Sequence, residues 1–305
     1  MSRTAVSRSC ESWLEPALSP FILPHFLAAD LFTTPTYLQH KPPKNMAVPY
    51  PQIVLFGDSL FQDAASLEDG FGFQAAVQQQ VLRRFDVVNR GLSGYNTSNA
   101  LKLLPQIISP PGPGVPKLAY LFILFGANDA ALPRPVNNQH VPLDKYKQNL
   151  VSIITHPNIT AHNPKIFLVT PPPLDELKTS EVDLGIRKHR VSASYSEAVR
   201  QVAAEHSVGL VDLWKAIMDY AISKTPGFDG SKGNLGDPKT RERGYLESLL
   251  PDGLHLSAEA YQVLYDVVKP HLGQEWEGTN NEQRVGYVLP DWKVAPWLEE
   301  DVLKP

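Results

Sequence analysis

Apolar residues in this chain are grouped into short runs separated by longer polar stretches. Gln52 to Phe56, Phe85 to Val88, Leu118 to Phe125, Lys165 to Val169 and Gly209 to Asp212 have the length of buried strands. The run LAYLFILF at Leu118 to Phe125 is the most apolar in the chain, which predicts a central strand covered on both faces. Between these runs the apolar positions recur at helical spacing. Helices are predicted over Phe73 to Arg84, Asn99 to Ile108, Leu143 to Thr155, Val182 to His206, Trp214 to Ile222 and Ser257 to His271. Pro105 bends or ends the second, and Ser257 caps the last, with Glu259 in its first turn.

Strands alternating with helices imply βαβ units joined by right-handed crossovers. The expected fold is a three-layer α/β/α sandwich around a central, mostly parallel sheet of flavodoxin-like type. Ligands in such sheets bind beyond the carboxyl ends of the strands. Residues 1–50 break the pattern: they lack periodicity and hold prolines at intervals. They read as a poorly structured extension, with residues 51–305 as one domain. Pro226 to Gly244 is glycine-rich and charged, and reads as a surface excursion.

Composition narrows the function classes. The 305 residues carry a net charge of −4, with no basic stripe, so nucleic acid is not an expected partner. The one cysteine, Cys10, excludes an intrachain disulfide and a CxxC site and favours a cytoplasmic location. Arg3 and Arg8 among serines suggest import into an organelle as the alternative. The early apolar run, Ala17 to Phe32, is interrupted by Pro20, Pro24 and Asp30, so no stable membrane insertion is expected.

Chemistry gathers at the predicted strand ends. The first strand ends in Gly57-Asp58-Ser59, the second in NRGLSG with Gly94, and the third in Gly126-Ala127-Asn128-Asp129. PDGLHLS, with Asp252 and His255, precedes the last helix. A serine hydroxyl becomes a useful nucleophile only beside a base that is itself oriented. His255 suits the base, and Asp252, three residues earlier, suits the orienting carboxylate. The Ser59 and Gly94 backbone N–H groups and the Asn128 carboxamide suit an oxyanion hole. Each piece alone has a plainer use: Asp58 or Ser59 as a helix cap, Gly94 as a loop glycine, Asn128-Asp129 as an Asx turn, and Asp252 and His255 as surface residues. Ser93 is a rival nucleophile without a G-x-S-x-G setting. His140, His156, His162 and His206 show no paired metal-ligand spacing, and neither a metal nor an organic cofactor is expected.

The ordered set FGDSL, Gly94, GAND and D-x-x-H resembles the GDSL esterases, also called SGNH hydrolases. Closer still, NRGLSGYNTSNALKLLP, LFGANDA, DGLHLSAEAY and the tail LPDWKVAPW are similar to the isoamyl acetate-hydrolysing esterase subgroup. The likeness runs from about Pro51 to Trp297, and the stretch from Pro226 to Gly244 is long for the family. The resemblance implies an open site without metal and a serine hydrolase acting on small-molecule esters, short acyl (acetate) esters foremost. Asp58 then braces the nucleophile turn, Gly57 permits it, and Arg90 and Tyr95 line the site. A thioesterase, a lysophospholipase or a sugar O-deacetylase using the same machinery is left open. So is a non-catalytic binding protein on the same fold.

Overall fold

The computed structural model describes residues 47–68, 70–182, 185–273 and 285–292. The chain divides into two units, residues 1–42 and 43–305, and every described residue belongs to the second. The proposed extension through residue 46, with Cys10, and the final residues of the LPDWKVAPW tail lie outside the described residues.

Five strands form one all-parallel sheet: β1 (Gln52–Gly57), β2 (Asp86–Gly91), β3 (Leu118–Leu124), β4 (Lys165–Val169) and β5 (Gly209–Val211). Their order is β2-β1-β3-β4-β5. Successive side chains of a strand face opposite sides, so each buried strand feeds two cores. Ile53, Leu55, Tyr120, Phe122 and Val169 join one apolar cluster, while Val54, Phe56, Leu121, Ile123 and Leu168 join the other. The first cluster is closed by α2 (Phe73–Gln80), α8 (Leu213–Ser223), α9 (Leu246–Leu249) and α10 (Ala258–Val268). The second is closed by α3 (Thr97–Ile107), α4 (Leu143–Ile154) and α7 (His189–Glu205). Phe56, Tyr120 and Phe125, which lie in the runs read as buried strands, are all buried there.

Three element boundaries depart from the pattern. The helix expected through Arg84 stops at Gln80, and Arg83 takes a positive φ of 65°. Pro105 stays inside α3, which runs on to Ile107 from the Asn96 cap. The long helix expected over Val182 to His206 starts only at His189, as α7; residues 185–188 are not helical, and a shorter helix, α6 (Glu176–Val182), comes before them. Gly185 in that segment has φ +71°, a conformation that ends a helix. Short α1 (Ser59–Gln62) and α5 (Pro157–Thr160) complete the helices used below. Among the described residues no helix is long and apolar enough to cross a membrane.

From β1 the chain steps outward to β2, then returns across β1 to β3. The carboxyl ends of β1 and β3 therefore flank the point where the strand order reverses. That is the crevice in which open α/β sheets bind ligands, and Ser59 and Asn128 follow those two strands.

Candidate active site

β1 pairs with β2 through Gly57 opposite Gly91, and with β3 through Gly57 opposite Leu124. A Cβ on Gly57 would lie 2.5 Å from the Leu124 carbonyl oxygen. Glycine here is required by close approach of the neighbouring strand, rather than by the turn the sequence suggested. Asp58 caps the next helix, its Oδ1 accepting a hydrogen bond from the Leu60 N–H at 3.0 Å. That places Ser59 at the first position of α1, with 7% of its surface exposed.

Ser59 Oγ lies 2.9 Å from His255 Nε2, across 196 residues of chain. His255 Nδ1 lies 2.6 Å from Asp252 Oδ2. Asp252 Oδ1 meanwhile accepts from the backbone N–H groups of Leu254 (2.9 Å) and His255 (2.8 Å). The carboxylate thus holds the ring with one oxygen and its own turn with the other. With Nδ1 donating to the carboxylate, Nε2 is the acceptor facing the serine. Burial would raise the Asp252 pKa, but the hydrogen bonds from the His255 ring and from the two backbone groups hold it down at about 2. The hydrogen bond to Asp252 raises His255 above its ordinary value, against the opposing effect of burial.

The loops after β2 and β3 meet beside this chain. The Leu92 N–H donates to the Gly57 carbonyl and the Ser93 N–H to Gln62 Oε1, so the Gly94 loop is tied to the serine turn. Gly94 has φ +78°, and a Cβ there would meet only Gln139 Nε2, at 3.6 Å, so conformation rather than crowding selects glycine. Its carbonyl accepts from Gln139 Nε2 at 2.9 Å. Asn128 is buried; its Nδ2 donates to the Tyr95 carbonyl at 2.9 Å, joining the two loops, and its Oδ1 accepts from Arg187 Nη2 at 3.0 Å. Arg90 is exposed and donates to the Asn89 carbonyl, while Tyr95 contributes its backbone. The structure brings Ser59, Asp252 and His255 into one hydrogen-bonded chain and links the Gly94 and Asn128 loops to it. Ser93 is exposed and sits outside that chain.

Two buried carboxylates lie behind the serine. Asp58 is fully buried, and its Oδ2 accepts from no described residue. Burial raises its pKa to about 7, opposed by the Leu60 N–H, reinforced by the negative charge of Asp129, and opposed again by His255 and Arg187. Burial likewise raises Asp129 to about 6, although the Thr97 hydroxyl and N–H both donate to it. A carboxyl with a folded-state pKa above its unfolded value binds its proton more tightly when folded. The stability it contributes is full below about pH 4 and is lost as the pH rises toward about 7. Asp58→Asn keeps an acceptor for Leu60 and cannot ionise. The variant is expected to gain on the wild type as the pH rises, by about 2.5 kcal/mol more at pH 8 than at pH 5. Thermal melts at the two pH values check this.

Sequence reading missed the braces behind the His255 loop. The 226–244 stretch is not a mere surface excursion: Leu235 is fully buried, and the Gly236 carbonyl accepts from the Glu176 N–H. Arg243 Nε donates to buried Asp175 Oδ2 at 2.6 Å, and the Asp175 N–H donates to the Gly253 carbonyl, inside the turn between Asp252 and His255. Arg243→Met would strand the Asp175 charge in the interior. A cost of about 3 kcal/mol follows, read as a fall of several degrees in Tm with a parallel loss of activity.

The chain belongs to the GDSL-like lipase/acylhydrolase family, whose model matches residues 55–263. As a member it is a carboxylic ester hydrolase. Among curated proteins it is 31% identical over 253 residues to isoamyl acetate-hydrolyzing esterase 1 homolog of Mus musculus, covering 81% of this chain and 89% of that one. It is 28% identical to isoamyl acetate-hydrolyzing esterase of Saccharomyces cerevisiae, covering 80% and 94%. A GDSL esterase/lipase of Arabidopsis thaliana is 33% identical, covering 75% and 89%. Among solved structures, an acetyl xylan esterase shares the fold with a TM-score of 0.52 at 17% identity, covering 73% of this chain and 100% of that one.

Proposed function

We propose that the protein hydrolyses short-chain acyl esters of alcohols, acetate esters foremost, through an acyl-enzyme on Ser59. The observation that carries the reading is the unbroken chain from Asp252 through His255 to the Ser59 hydroxyl. Ser59 Oγ attacks the ester carbonyl while His255 Nε2 takes its proton. The tetrahedral oxyanion is held by the Ser59 and Gly94 N–H groups and Asn128 Nδ2. His255 returns the proton to the departing alcohol oxygen as the C–O bond breaks. Water, deprotonated by the same ring, then attacks the acyl carbon and releases the acid and free Ser59. The choice of acetate follows from the mouse and yeast relatives, whose names specify isoamyl acetate.

Two measurements test this. A fluorophosphonate probe is expected to label one residue, mapped to Ser59 by peptide mass spectrometry; labelling elsewhere would refute the nucleophile. In a panel of isoamyl esters, acetate is expected to give a higher kcat/KM than octanoate. A preference for octanoate, or for acyl thioesters, would move the substrate class to a lipase or a thioesterase.

A further inference from the structure

Asn128 can hold an oxyanion only if its NH2 group, and not its carbonyl, faces the reacting atoms. A buried carboxamide has two orientations related by a half-turn, and nothing in the side chain itself prefers one. Here two partners select it. The Tyr95 carbonyl accepts one N–H of Asn128 Nδ2, and Arg187 Nη2 donates to Oδ1. A flip would set two carbonyl oxygens against each other and an NH2 group against a guanidinium. One Asn128 N–H remains for substrate.

Resting on the acyl-transfer reading of Ser59, Gly94 and Asn128, we infer that Arg187 is a positioning residue for the oxyanion hole. It locks the Asn128 carboxamide and strengthens its remaining N–H as a donor. Three observations support this. First, drawing electron density toward Oδ1 polarises the amide, so its N–H bonds become better donors to a developing negative charge. Second, the oxyanion forms close to the buried carboxylates Asp58 and Asp129, whose charge opposes it. Arg187 is near enough to favour the ionised form of Asp58, so it supplies compensating positive charge at the same place. Third, the residues on either side of Arg187 make fastening contacts of their own. The Ile186 carbonyl accepts from the Leu132 N–H at 2.7 Å, Lys188 pairs with Glu176 at 3.0 Å, and the His189 N–H donates to Glu176 at 2.8 Å.

The test is a double-mutant cycle on p-nitrophenyl acetate, with Arg187→Met measured in the wild-type and in the Asn128→Ala background. In the wild-type background kcat is expected to fall about 10- to 100-fold, part of what loss of a whole oxyanion donor costs, with KM changed less than about twofold. Affinity for a boronic acid, which mimics the tetrahedral state, falls in parallel. In the Asn128→Ala background the same substitution is expected to cost less than about twofold, because the group through which Arg187 acts is gone. An undiminished kcat, or an equal loss in both backgrounds, overturns the inference. Should Arg187→Met fail to fold, Arg187→Lys is read in the same cycle against the same two outcomes. Ser59→Ala run alongside separates the two readings. If it is inactive while Arg187→Met retains wild-type kcat, only the Arg187 assignment falls. If Ser59→Ala keeps wild-type rates, the acyl-transfer reading falls and takes this inference with it.

Discussion

Ser59→Ala is expected to lower kcat on p-nitrophenyl acetate by about 10⁴-fold or more while leaving the melting temperature within a degree or two. The two halves of that expectation have separate causes. In the proposed mechanism the hydroxyl is the atom that bonds to the acyl carbon, so without it no acyl-enzyme would form, and His255 would have only water to activate. The methyl group that remains still fills its place at the start of α1. The helix cap belongs to Asp58, whose bond to Leu60 is untouched. The hydroxyl's one described partner, His255, is held by Asp252 in any case. A variant that retained wild-type rates would remove the serine from the mechanism. A variant that lost both activity and fold would make Ser59 a structural residue.

Asp252→Asn is expected to lower kcat by about 10³- to 10⁴-fold, and the geometry says why so small a change has so large an effect. The backbone N–H groups of Leu254 and His255 both point at one oxygen of residue 252. Asparagine can satisfy them only with its carbonyl oxygen. Its NH2 group then faces His255 Nδ1, which must become an acceptor. The ring proton moves to Nε2 and points at Ser59, so the imidazole donates where it must accept. Asp252→Ala imposes no such tautomer and is expected to retain more activity than Asp252→Asn. The pH dependence follows from the same contacts. His255 acts as a base only when neutral, so activity rises as the pH climbs through its pKa. The hydrogen bond to Asp252 raises that pKa above 6.5, which places the ascending limb of the kcat/KM profile above 6.5. In Asp252→Ala the limb moves to lower pH. Steady-state kinetics from about pH 5 to 9 measure both effects, and an unmoved limb would mean that another group titrates.

Much of this site is legible in the sequence. A buried strand running directly into Gly57-Asp58-Ser59 announces a polar turn at a sheet edge, and the same holds for β3 running into Asn128. Asp252 and His255 stand three residues apart ahead of a helix whose Ser257 cap, bonded to Ala260, is as expected. The illegible parts share one property: they depend on contacts between segments that carry no periodic signal. Arg187 lies in a stretch whose composition reads as continuous helix, and only the positive φ of Gly185 and the pairing of Ile186 with Leu132 turn it toward Asn128. Leu235, alone among glycines and charges, gives no pattern from which its burial could be inferred. Arg243 meets Asp175 across 68 residues.

By itself the sequence determined the alternation of strands and helices, the α/β/α class and the identity of the polar residues delivered to one edge. Those features depend on spacing of 2 or 3.6 residues and on local turn chemistry, which a linear chain records directly. Only the tertiary structure decided which of those residues touch, what surrounds them and how they titrate. The approach of His255 to Ser59 and the burial of Asp58 arise from packing between distant elements, and hydrogen bonding and desolvation respond to distances that no local spacing encodes.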